Sequence, residues 1–181
     1  MSGFEYLFTF YGLLLGIAVA NVATGFADMW RGRDEIRPGV AVPLLGLFVL
    51  LAAAQQWVSF WGGRETLTMG PWPLLVCIGV ALPYIFVSQA MFPRQEAQWT
   101  SLDAYYTAYR RVLMASLAMP PLVSLIANIG LWGWTPQLVE LVPDAIRIGV
   151  PLGLTFTRRE WLHRLGLLVL SATAVTLMFL S

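Results

Sequence analysis

The chain has 181 residues, 58% of them apolar and 12% charged, with a mean hydropathy of +0.70. A soluble domain of this size carries about a quarter of its residues as charges, so water is not the main solvent here: the chain reads as a polytopic membrane protein, a single all-α domain over residues 1–181. A net charge of +1 with no dense basic arm gives no footing for a nucleic-acid partner.

Apolar runs near twenty residues long, broken by charges, Pro and Gly, mark six spans. The first covers about Phe4 to Met29; with Glu5 and no positive charge ahead of its apolar run, it reads as a retained helix rather than a cleaved signal peptide. Gly12, Gly16, Ala20 and Thr24 recur along it at four-residue spacing, with Asn21 alongside. Small residues so spaced let two helix backbones approach, inside the chain or between protomers; a pore-lining Asn21 is the other reading. The second span covers about Val40 to Trp61 and holds Gln55 and Gln56. The third, about Pro73 to Phe92, contains Cys77 and stops at Pro93. In the hydrophilic stretch RQEAQWTSLDAYYTAYRR, Thr100 or Ser101 can cap a helix whose first turn holds Asp103. The fourth span, about Val112 to Trp134, therefore begins as a helical extension over residues 101–111, with Tyr105, Tyr106 and Tyr109 read as interface anchors. The fifth, Leu138 to Phe156, carries Glu140, Asp144 and Arg147 together with Pro143 and Pro151, and the sixth is Leu162 to Ser181.

Whether the charged fifth segment crosses is tested by the rule that cytoplasmic connections collect Arg and Lys. With six spans, nine arginines fall on one side (Arg31, Arg33, Arg37, Arg94, Arg110, Arg111, Arg158, Arg159, Arg164) and Arg64 alone on the other, leaving Arg147 in the membrane. Without the fifth crossing the partition becomes six against four. Six spans put both termini on the outer side. Tryptophans agree, since indoles settle at headgroup level: Trp57, Trp61, Trp72, Trp132 and Trp134 mark the outer edge, and Trp30, Trp99 and Trp161 the inner one.

The order of these features resembles a group of small six-span proteins of the bacterial inner membrane. The resemblance rests on Phe4 to Ala18, Arg31 to Gly39, Gln55 to Trp61, Phe92 to Pro93 and Ser101 to Arg111. It implies a multi-pass inner-membrane topology and carries no activity to any residue.

At a helical rise of ~1.5 Å per residue, Gln55, Asn128 and Asp144 each lie about 9 Å inside the outer edge, with Arg147 about three residues deeper. An ionised side chain in hydrocarbon costs about 2.5–3.5 kcal/mol even on the lenient insertion scale, so Asp144 and Arg147 face protein or water. Glu140, Asp144 and Arg147 share one helical face, and Pro143 and Pro151 read as breaks that free carbonyls beside it. Two readings fit. One is a kinked helix lining a polar pocket open to the outside; the other is a neutralised ion pair with Gln55 and Asn128 as interhelical hydrogen-bonding groups, about 0.6 kcal/mol each.

Cys77, the single cysteine, gives no disulfide framework, and His163, the single histidine, excludes a bis-histidine haem or a multi-histidine metal site within one chain. No metal-ligand spacing, phosphate loop or nucleophile–base motif is present, so neither a catalytic residue nor a cofactor is expected. What remains is a small-solute or ion pathway, or a ligand pocket, built around Asp144, Arg147, Gln55, Asn128 and Glu140. The alternative is a non-catalytic accessory, assembly or scaffold subunit of a larger membrane complex. Membrane lipids are the expected partners under either reading, together with further copies of the chain or other membrane subunits.

Overall fold

The computed structural model describes residues 2–33, 36–37, 39–65, 67, 70–93, 99–137 and 140–180. Arg94 in the third connection, Leu138 as the start of the fifth span and Ser181 as the end of the sixth lie outside the described residues. Among the described residues the chain is all-α, with six helices: α1 (Gly3–Arg31), α2 (Ala41–Gly62), α3 (Pro71–Ala90), α4 (Leu102–Gly130), α5 (Leu141–Phe156) and α6 (Glu160–Leu180). Five of them, all but α5, are long and apolar enough to cross a membrane, so the protein is membrane-embedded. Large apolar side chains such as Leu13, Leu75, Ile126, Leu168 and Phe179 stand on the outside of the bundle, an arrangement that water would not tolerate over so wide a surface.

Each helix begins and ends for a local reason. Ser2 and Glu5 form a reciprocal cap on α1: the Ser2 hydroxyl accepts the Glu5 N–H at 3.3 Å and the Glu5 carboxylate accepts the Ser2 N–H at 2.8 Å. Pro71 opens α3 at a position where no backbone donor is needed. Ser101, rather than Thr100, caps α4 by accepting the Ala104 N–H at 3.2 Å. From there α4 runs as one helix of 29 residues through buried Pro120 and Pro121, so the expected extension and the fourth span are a single element.

The helices alternate in direction, as cross-contacts at the two ends establish. At one end the start of α4 meets the start of α2 through Asp103, the end of α5 through Arg110 and Thr157, and the start of α6 through Tyr106 and His163. Phe92, just past α3, packs against Phe26 near the end of α1 at this same end. At the other end Phe4 of α1 stacks on Phe60 near the end of α2. The fifth segment therefore traverses the bundle against α4 and α6 rather than lying across it. The arginines flanking α1, α4 and α6 gather at one end and Arg64 lies at the other, as the charge partition requires. Trp57, Trp61, Trp72 and Trp132 are exposed toward the Arg64 end, and Trp30 and Trp161 toward the arginine-rich end.

Within the chain, α1 packs through a face other than the small-residue stripe. Its buried face is Leu7, Tyr11, Leu15, Ala18, Val22 and Gly25, at three- and four-residue steps. Of the small-residue stripe, only Gly12 meets a neighbour, Trp57 of α2; Gly16, Ala20 and Thr24 face outward, and a methyl group on Gly16 would touch nothing. The close approach belongs instead to Gly25, where a Cβ would collide with the Phe92 ring. The Asn21 amide donates to the Ser88 hydroxyl at 3.1 Å and ties α1 to α3. The hub is α2, which packs on α1, α3, α4 and α6.

Candidate functional site

Toward the Arg64 end the six helices stop short of closing, and a cavity of about 390 Å³ remains between them. The last turns of α2 supply Gln55, Gln56 and Ser59; the end of α4 supplies Ser124 and Asn128; the start of α5 supplies Glu140, Asp144 and Arg147. All five residues predicted from sequence, Gln55, Asn128, Glu140, Asp144 and Arg147, line this one cavity. Tyr11 of α1, Val76 and Val80 of α3 and Leu177 of α6 complete its wall. Trp132 and Gly63, beyond the ends of their helices, stand at its mouth.

The local fold of α5 explains how charges are held here. The helix begins at Glu140 and Leu141, later than the apolar run implied. Pro143 consequently lies in the first turn, where a missing N–H removes no helical bond, so it starts the helix instead of breaking it. Pro151 is the interior proline, and its missing N–H leaves the Arg147 carbonyl without its helical donor. Asp144 falls within the first turn, where the free N–H groups and helix dipole favour a negative charge. Sequence reasoning gave this residue a depth of about 9 Å inside the outer edge and missed that support. At 16 residues α5 spans about 24 Å, short of the ~30 Å hydrocarbon thickness.

The polar groups of the cavity are incompletely matched by protein. Arg147 Nη1 lies 3.7 Å from Asp144 Oδ1, an ion pair too long for a hydrogen bond. The two side chains are 11% and 20% exposed. Gln55 donates to the Ser59 hydroxyl at 2.8 Å, while Gln55 and Gln56 are only 3% and 7% exposed. Three buried polar atoms nevertheless find no partner among the described residues: Gln55 Oε1, Gln56 Nε2 and Arg147 Nη2. All three belong to residues lining this cavity. Arg147 and Gln56 also reach the buried phenol of Tyr84, which backs them from α3. Glu140 is exposed at the mouth, where its carboxylate accepts the Gln137 N–H at 3.0 Å. Toward the arginine-rich end the core is apolar and closed by Leu45, Val49, Leu113, Leu117, Leu167 and Leu170, each at most 2% exposed. The cavity thus has a dry floor on that side.

The opposite end is stitched shut by groups to which the sequence reading gave no site role. The Asp103 carboxylate accepts N–H groups of Val40 (3.0 and 3.2 Å) and Ala41 (2.9 Å), so a residue of α4 caps α2, whose own cap residue has no side-chain acceptor. Arg164 stands 3.7 Å from the same carboxylate. Gly39, at φ +63°, passes so close that a Cβ would overlap Asp103. Tyr106, expected at the lipid interface, is buried: its hydroxyl meets His163 Nδ1 at 2.8 Å, and His163 Nε2 donates to the Thr157 carbonyl at 3.0 Å. Arg110 Nε donates to the same carbonyl at 3.0 Å. The space enclosed there is about 10 Å³, the size of one water, so this is a structural junction. The signal available in sequence was Asp103 itself, but its reach to α2 depends on tertiary placement.

No group of three or more His, Cys, Asp and Glu side chains among the described residues is placed to hold a metal ion. No protein-family model, no curated protein and no solved structure matches the chain.

Proposed function

We propose that the chain is a non-catalytic protein of the bacterial inner membrane whose cavity faces the outer side and admits a small polar solute, forming the outer half of a pathway across the bilayer. The observation that carries this reading is the convergence of Gln55, Gln56, Asn128, Asp144 and Arg147 on one cavity of about 390 Å³. An ion pair held 3.7 Å apart on the wall of a cavity of this size leaves open space beside the charges, which supports a solute site over a closed structural pair. The outer orientation is supported by the arginine partition, since Arg-rich connections stay in the cytoplasm. Passage requires the leucine floor to part, as in folds that alternate access around a central site.

Flux into proteoliposomes tests the reading. Wild-type protein is expected to carry small polar solutes faster than protein-free vesicles, and Asp144→Asn and Arg147→Gln each to reduce that flux several-fold. Equal flux in all three proteins, or none in any, contradicts a pathway through this cavity.

A further inference from the structure

The arginine-rich end carries an interaction surface that owes nothing to the cavity. We propose that the turn joining α5 to α6 binds a phospholipid of net negative headgroup charge from the adjoining leaflet, its phosphate held by Arg111, Arg158 and Arg159. The fold brings these three side chains to one place. Arg110 Nε donates to the Thr157 carbonyl at 3.0 Å, and Arg111 and Arg158 are the chain neighbours of that bonded pair. Arg158 also lines the small space beside Thr107 and Arg110, which sets it against the first turns of α4. Arg159 follows at the entry to α6. All three arginines are exposed, and none makes an ion pair with a described residue.

Their neighbours are already matched. Arg110 is held by the Thr157 and Thr107 carbonyls, and Arg164 reaches both nearby carboxylates, those of Asp103 and Glu160. In the connection after α1, by contrast, Arg31 pairs with Asp28 at 3.0 Å and the Arg33 guanidinium lies 4.3 Å from the centre of the Trp30 ring. The turn between α5 and α6 therefore holds a surplus of positive charge with no protein group to meet it. A guanidinium fork fits phosphate oxygens two at a time, and a headgroup whose ammonium cancels its phosphate gains less from that surplus. A lipid, rather than a phosphate in solution, is indicated by the aromatic side chains on either side. Phe156, two residues before Arg158, is 85% exposed, and Trp161, two residues after Arg159, is 58% exposed. At the bilayer interface such rings lie among the glycerol groups and upper acyl chains. Beneath them α5 turns outward Leu152, Gly149 and Gly153, and a Cβ at either glycine would meet nothing. That low apolar wall leaves room for an acyl chain to lie along the helix.

The experiment is retention of radiolabelled phosphatidylglycerol by the immobilised full chain in mild detergent. The unlabelled competitors are phosphatidylglycerol, diphosphatidylglycerol and phosphatidylcholine of the same acyl chains, and glycerol phosphate. Both anionic lipids should compete about fivefold or more better than phosphatidylcholine, the gain that a single arginine brings at an anionic surface. Replacing Arg111, Arg158 and Arg159 together with Gln should bring that preference to within about twofold, while Arg64→Gln at the opposite end leaves it unchanged. Arg158→Gln and Arg159→Gln, each at an exposed turn position, serve singly should the triple variant fail to fold, and each should lose part of the preference. Failure of the chain to retain the label, phosphatidylcholine competing as well as the anionic lipids, or an undiminished preference in the arginine variants overturns the inference. An equal loss in Arg64→Gln also overturns it, because the effect would then belong to net charge. Displacement by glycerol phosphate as effective as by the lipids would identify a site for soluble phosphate and overturn the lipid assignment. None of these results bears on the solute-site reading.

Discussion

Replacing Asp103 with Ala removes the carboxylate that joins α4 to the start of α2 and faces Arg164 of α6. It leaves the Val40 and Ala41 N–H groups, now held at 2.9–3.2 Å, without an acceptor. Loss of a helix cap costs about 1 kcal/mol. Ala41 is buried, so water cannot replace that acceptor, and an unsatisfied buried donor adds about 1–3 kcal/mol. The Arg164 pair, 43% exposed on the arginine side, contributes at most about 1 kcal/mol. The expected destabilisation is about 2–4 kcal/mol, which at about 2–4 °C per kcal/mol lowers the unfolding midpoint by roughly 5–15 °C. Tryptophan fluorescence during thermal unfolding in mild detergent reads this directly. Asp103→Asn, which keeps one acceptor, should fall between. Gly39→Ala adds a second, coupled arm, because its methyl group would overlap the carboxylate. In the Asp103→Ala background that overlap is gone and only the left-handed backbone strain of about 1–2 kcal/mol remains. A midpoint for Asp103→Ala within a degree of wild type, or an identical Gly39→Ala cost in both backgrounds, refutes the reasoning.

Arg147→Leu strands Asp144. Breaking a buried pair costs about 3–5 kcal/mol, and the one-fifth exposure of Asp144 and its place in the first turn of α5 bring the expected loss to about 2–3 kcal/mol. Replacing both with Leu should recover most of it in the same thermal assay; a double variant as unstable as the single one would show that the pair is not an independent unit. On α1, Gly25→Ala should cost about 1–3 kcal/mol by forcing Phe92 aside, whereas Gly16→Ala should be neutral or stabilising by up to about 1 kcal/mol. Equal effects at the two positions would contradict the assigned packing face.

The six helices were legible because hydrocarbon imposes a simple code of long apolar runs, arginine on one side and indoles at the edges. The shared level of Gln55, Asn128 and Asp144 was legible too, since helical rise converts sequence position into depth, and all three line one cavity. Rotation about the helix axis was not. The stripe from Gly12 to Thr24 has the spacing of a packing motif, yet α1 is turned so that Leu15, Ala18 and Val22 face inward. Nothing in α1 alone fixes that choice; Phe92, far away in sequence, occupies the notch at Gly25. The first helical residue of α5, Leu141, was not legible in the apolar run either. Leu138 and Val139 extend the apolar run, while Glu140 and Pro143 are the actual start signals. Long-range caps such as Asp103 on α2 leave no local trace at all.

The central claim is that the cavity between α2, α4 and α5 is wet and opens to the outer side. Cysteine labelling tests it most directly, in a Cys77→Ala background with sealed, oriented vesicles and a membrane-impermeant thiol reagent added to the outer face. Asn128→Cys and Ser124→Cys, both on the cavity wall, should react, and Leu117→Cys, two turns deeper in the dry floor and 2% exposed, should not. Unreactive cysteines at 124 and 128, or a cysteine at 117 that reacts as fast as they do, would contradict it.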